Sequence, residues 1–153
     1  MEITGAYTFA APRARVWGVL LDPEALRAAL PGCQEMRRTG EDEYLATMSV
    51  GIGAVKGSYS GTIRVRDQEP ESRYRLLVEG TGRPGFVKGD GVLELAEVGE
   101  TTVVTYSGQV QVGGTIASVG QRLISATVQL LTGQFFKAMD RQLAQQGQQE
   151  KAQ

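Results

Sequence analysis

A chain of 153 residues with 41% hydrophobic and 22% charged residues is sized for one globular domain with a real core, which excludes a disordered or fibrous protein. A formal net charge of −1 without any basic run argues against nucleic acid as a partner. Zero histidines and a single cysteine, Cys33, remove the usual general base, the usual soft-metal ligands and any intrachain disulfide.

The stretch EITGAYTFA alternates as a first strand over about 2–10. Pro12 opens a short helix on which Val16, Trp17, Leu20 and Leu21 make an apolar stripe, with Trp17 as its core anchor. Asp22 then caps a second short helix, Pro23 takes its first position, and Leu26, Ala29 and Leu30 are its buried side until Pro31-Gly32 stops it. Cys33 follows as a buried structural thiol, and Arg37-Arg38 reads as an exposed strand edge or loop.

From there to about 112 the period is 2. Tyr44, Ala46, Met48, Val50 and Ile52 share one face, and Gly53-Ala54 fits a tight turn. Val55, Gly57, Tyr59, Gly61, Ile63 and Val65 share the inward face of the next strand. Tyr74, Leu76 and Val78 follow, then a TGRPG loop, then Val87, Gly89, Gly91, Leu93 and Leu95, then the strand of Thr102, Val104, Tyr106, Gly108, Val110 and Val112. Glycine on an inward face packs nothing and weakens the strand. Two readings stand: the glycines of 57–61 and 89–91 bend the sheet, or they leave volume inside it.

At Gly113-Gly114 the period changes to 3.6. One helix is expected over about 115–145, with Ile116, Val119, Leu123, Thr127, Leu130 and Leu131 on its buried face, widened by Ile124, Val128, Phe135 and Met139. Residues 1–146 form a single domain, and 147–153 are read as a polar, disordered tail. Strands that must bury one face have one large partner, this helix, so an α+β fold is expected in which a curved antiparallel sheet wraps around it. No apolar run has the length of a membrane span, and the N-terminus lacks a signal-peptide pattern, so a cytoplasmic protein is expected.

The segments DPEALRAALPGC (22–33), VGIGAVKGSYSG (50–61), GTGRPGFVKGDG (80–91) and VGGTIASVGQRLI (112–124), followed by FF at 135–136, resemble the CoxG-like family, the G-subunits of carbon monoxide dehydrogenase, within the START/Bet v 1-like (SRPBCC) helix-grip superfamily. The resemblance implies the helix-grip fold. It also implies a non-enzymatic accessory protein of a carbon monoxide dehydrogenase-type molybdenum hydroxylase that aids membrane association or quinone delivery. No cofactor is expected; an isoprenoid quinone or lipid would be cargo, and contact with the membrane would be peripheral, at the inner face of the cytoplasmic membrane.

The residues expected to line a cavity are Met48 and Val50, then Gly57, Tyr59, Gly61 and Ile63, then Leu76 and Val78. Phe86, Val87, Leu93, Val104 and Tyr106 continue the lining, and the helix adds Leu123, Thr127, Leu130 and Leu131. Tyr59 and Tyr106 are the candidate hydrogen-bond partners of a quinone oxygen, and the loop 81–86 with the start of the long helix is the expected entrance. Two alternatives are open. One is an assembly or recruitment subunit with no bound ligand. The other is a cyclase- or hydrolase-type helix-grip enzyme, for which Tyr59, Tyr106, Arg83 and Glu79 are the candidate polar groups.

Overall fold

The computed structural model describes residues 1–51 and 55–152, with side chains as far as Gly147. Strand β1 (Glu2–Phe9) leads into helices α1 (Arg13–Leu20) and α2 (Pro23–Ala29). Six strands follow: β2 (Cys33–Gly40), β3 (Glu43–Val50), β4 (Gly57–Glu69), β5 (Arg73–Gly82), β6 (Gly85–Val98) and β7 (Thr101–Gly113). A 3-10 turn (Thr115–Val119) precedes the last helix, α3 (Gln121–Ala152).

The strands form one antiparallel sheet in the order β1-β7-β6-β5-β4-β3-β2. Short turns make a meander of β2 to β7, and β1 closes it by pairing with β7, from Glu2 opposite Gln109 to Phe9 opposite Thr102. The two short helices therefore carry the chain from one sheet edge to the other. Asp22 caps α2 as expected, its side chain accepting from the Glu24 amide at 3.1 Å with Pro23 in the first turn. The Arg37-Arg38 pair lies on β2, an edge strand whose single buried side chain is Met36. Ile52 and the Gly53-Ala54 turn lie outside the described residues. The fold is the α+β helix grip expected from the order of elements: a curved sheet with a long C-terminal helix across it.

The helical stretch departs from expectation at both ends. Gly120, at φ 100, ends the 3-10 turn, so the regular helix starts at Gln121 rather than near 115. It then runs 32 residues, about 48 Å, and continues through the segment read as a polar tail, whose Gln, Ala and Lys residues are good helix formers.

The core sits at one end of the molecule. Phe9, Val16, Leu20, Leu26, Tyr44, Val65, Tyr74, Leu95, Val104, Phe136, Met139 and Leu143 are buried in one cluster drawn from all three helices and the sheet. Trp17 packs edge-on against Tyr74 at its margin, with ring centroids 5.5 Å apart. Thr102 is fully buried, and its hydroxyl donates to the Ala11 carbonyl at 2.8 Å, which removes the cost of burying it. Tyr7 donates to Asp140 at 3.0 Å and stacks on Phe136, fastening α3 to β1.

Candidate functional site

The register arranges inward residues in rows across the sheet. Toward the packed end runs Tyr74–Leu93–Tyr106–Gly5, and beyond it Leu95–Val104–Tyr7. Toward the other end run Tyr44–Ile63–Val78–Gly89–Val110 and Ala46–Gly61–Gly80–Val87–Val112. On β4 to β7 burial falls along this direction, while Tyr44 and Ala46 on β3 stay buried. Tyr74, Leu93 and Val104 are buried, whereas Tyr59, Ile63, Val78, Val87, Val110 and Val112 are only half-buried on a face that should be interior. The close backbone approaches of α3 are to α2, α1, β1 and the 3-10 turn rather than to the central strands β4 and β5. The half of the concave face near the 3-10 turn is thus incompletely filled.

The glycines divide into two kinds. A Cβ at Gly61 would land on the Glu79 carbonyl oxygen of the neighbouring strand, so Gly61 is required by close backbone approach. Gly57, at φ 151, lies against the Pro84 ring, which a side chain there would strike. Gly80 and Gly89 are different. A Cβ at Gly80 meets nothing within 4 Å, and one at Gly89 meets only Val78 at 3.8 Å. Both face the inside of the sheet. The glycines therefore do two things at different residues: close approach at Gly57 and Gly61, open space at Gly80 and Gly89.

The other expected lining residues are spread over several environments. Met48, Tyr59, Ile63, Leu76, Val78, Val87 and Leu131 are half-buried, and Val50 and Thr127 are buried. Leu93 and Val104 belong to the packed core, because parity fixes a face and not a position along the strand. Phe86 has the parity opposite to Val87; it is 39% exposed, with its ring against Gly113 and beneath the Lys88 ammonium. Leu123 and Leu130 are 58% and 52% exposed, off the inward face of α3. The 3-10 turn and Gly120 shift the helical phase, so the seven-residue spacing carried from Ile116 through Leu123 to Leu130 does not mark the buried side. That side is Ile124, Thr127, Phe136, Met139 and Leu143.

An open cleft of about 440 Å³ lies where the β5–β6 turn meets the start of α3. Phe86 stands at its rim; Val110, Val112, Ala117, Gln121 and Ile124 line it. Val110, Val112 and Ile124 are inward residues in the sequence pattern but are not among the expected lining. The signal that could have found them is their proximity to the glycine pair where the period changes.

Tyr59 and Tyr106 are the expected polar partners of a ligand on the inner face, which also carries Tyr7, Tyr44 and Tyr74. Tyr59 donates to the Val55 carbonyl at 2.7 Å, and burial raises its pKa, so its proton is held. Tyr106 stacks on Phe136 at 5.2 Å and lies over Gly5, where only glycine leaves room for its ring. No hydrogen bond of the Tyr106 hydroxyl occurs among the described residues. Glu79 and Arg83 are exposed, Glu79 on the opposite face of the sheet from Tyr59.

A long helix gripped by a seven-stranded antiparallel sheet, with one half of the grip unfilled, defines the START/Bet v 1-like helix-grip fold. A START superfamily protein from Mycobacterium smegmatis shares this fold with a TM-score of 0.74 at 13% identity, over 94% of this chain and 97% of that one. Ara h 8.0201 shares it at 0.70 and 12% identity, over 95% and 98% of the two chains. A conserved protein from Geobacillus kaustophilus is much nearer: TM-score 0.92, 38% identity, over 95% and 96% of the two chains. The chain belongs to the CoxG family, the carbon monoxide dehydrogenase G-subunits, whose pattern it matches over residues 5–144. No curated protein matches it.

Proposed function

We propose that this chain is a non-enzymatic carrier that holds an isoprenoid quinone or similar lipid between sheet and α3, in the service of a carbon monoxide dehydrogenase-type molybdenum hydroxylase. The observation that carries the reading is the open space above Gly80 and Gly89 on a face whose other end is fully packed. Their inward neighbours in the sheet, Tyr59, Ile63, Val78 and Val87, are apolar or present an apolar ring. An isoprenoid chain laid among them gains roughly 25 cal/mol per Å² removed from water. The Tyr106 hydroxyl is the group available to donate to a quinone or ester carbonyl, and the Tyr59 oxygen, its proton engaged, serves as an acceptor. The polar groups weighed for catalysis do not converge, because Glu79 and Arg83 stand outside the cavity. The hydroxylase partner is supported by the family to which the chain belongs.

The test is mass spectrometry of organic extracts from natively purified protein, beside a Gly80→Leu/Gly89→Leu variant. A stoichiometric quinone or lipid in the wild type, lost in the variant, is the expected result. A protein that is empty and also ignores added quinones refutes the carrier reading and favours a recruitment role without cargo.

A further inference from the structure

The sheet begins at β1 and ends at β2, and these two edges are built differently. On β2 the ladder to β3 is interrupted twice, between Cys33 and Glu35 and between Arg38 and Gly40, and the strand carries Glu35, Arg37 and Arg38. Irregularities and charges of this kind keep an edge from pairing with another chain. The β1 edge has neither protection. It pairs with β7 from Glu2 to Phe9 without a register shift, and from Ile3 to Ala11 the chain holds no charge and no proline. Ile3, Thr4, Tyr7, Thr8 and Phe9 all favour the extended conformation.

The register fixes which backbone groups of β1 are open. The Met1 ammonium donates to the Val110 carbonyl at 2.7 Å, and the Val110 amide donates to the Met1 carbonyl at 2.8 Å. In an antiparallel ladder such closely bonded pairs alternate with pairs that exchange nothing. Ile3, Gly5, Tyr7 and Phe9 therefore bond to β7, and Glu2, Thr4, Ala6 and Thr8 turn both N–H and C=O away from it. No hydrogen bond to these outward groups occurs among the described residues, and the side chains of Glu2, Thr4, Ala6 and Thr8 are all exposed.

We infer that β1 is a pairing edge for a second copy of this chain, which adds its own β1 antiparallel so that the two sheets become one. One two-fold register uses every open group. With the axis at Gly5, Glu2 pairs with the partner's Thr8 and Thr4 with the partner's Ala6, and each pair exchanges two hydrogen bonds. Parity is kept, so the inner faces of both sheets lie on the same side. Glu2, the charge on the strand, meets a threonine rather than another carboxylate. At the axis Gly5 faces the partner's Gly5, and the Tyr106 ring that lies over each glycine comes beside its counterpart. A second copy suits this edge better than a foreign strand, because the run from Glu2 to Thr8 is its own complement in length, polarity and charge. The inference goes beyond the carrier reading and needs no cargo.

The experiment is sedimentation velocity of the full chain over a range of concentrations. A reversible dimer is expected. Ala6→Pro removes an outward N–H and leaves the ladder to β7 intact, so it should weaken the dimer by roughly tenfold with an unchanged circular dichroism spectrum. A pair of charge variants keeps the test open if that proline is not tolerated. Thr4→Lys/Ala6→Lys places like charges opposite each other across the axis, and so does Thr4→Glu/Ala6→Glu. Each should be monomeric alone, and an equimolar mixture should dimerise again. Arg37→Gln, on the other edge, should dimerise as the wild type does. A wild type that stays monomeric at every concentration, a dimer that persists in the folded lysine variant, or a mixture that stays monomeric would each overturn the pairing edge.

Discussion

Gly61 and Gly80 face each other across the β4–β5 ladder and have opposite tolerances. A side chain at Gly61 drives into the Glu79 carbonyl, so Gly61→Ala should destabilise by about 2–3 kcal/mol in chemical denaturation. Gly80→Leu enters open space and should change stability by less than about 1 kcal/mol while excluding an apolar ligand. Burial likewise sets the chemistry of two titrating groups. It raises the pKa of half-buried Cys33, whose thiol lies 3.3 Å from the Glu35 carbonyl, so alkylation in the native protein at pH 7 should be slower than in urea. It also raises the pKa of Tyr74, first through loss of solvent and then through nearby Tyr44. Unfolding frees that hydroxyl to ionise at its ordinary value of 10.0. Its contribution to stability is intact below that pH and is lost as pH climbs above it, which alkaline denaturation will read.

At the scale of elements, α3 has two faces with different work. Phe136→Ala should cost about 3–5 kcal/mol, since the ring stacks on Tyr106 at 5.2 Å and on Tyr7 at 5.6 Å within the core. Leu130→Ser, on the exposed side, should stay within about 0.5 kcal/mol. Paired urea melts of the two variants decide this. The contrast marks where the sequence was legible. Strand faces from Tyr44 to Val112 were readable because period 2 is rigid and turn residues punctuate it. The α2 boundaries followed from Asp22-Pro23 and Pro31-Gly32. The inward side of α3 was readable in part: Ile124, Thr127 and Met139 are buried as expected, but Leu123 and Leu130 are not, because the break at Gly120 resets the helical phase and nothing in the apolar spacing announces it. Leu93 and Val104 were misplaced for another reason: both are inward, but only the path of α3 determines where the packed core ends and open space begins. The roles of Gly61 and Gly80 also needed the neighbouring strand, since both carry the same inward parity.

The whole molecule is a sheet packed at one end and open at the other, held together by an aromatic group at its waist: Tyr7, Phe9, Tyr106 and Phe136. An apolar ligand that binds only this folded arrangement should raise its stability by about 2.7 kcal/mol at a hundredfold excess over Kd. That is a Tm rise of roughly 5–10 °C for a domain of this size, measurable by scanning calorimetry with a quinone of short chain. No Tm change with any apolar ligand would mean that the open half closes on itself in solution.

Glu41, Asp42, Glu69, Glu71, Glu97 and Glu100 at the β2–β3, β4–β5 and β6–β7 turns, with Lys56, Arg83, Lys88 and Arg122 at the opposite end, make the molecule an electric dipole whose magnitude the net charge of −1 conceals. In the field of a negatively charged surface such a body feels a torque before it makes contact. It turns its glycine-rich pole forward and its glutamate-rich pole away.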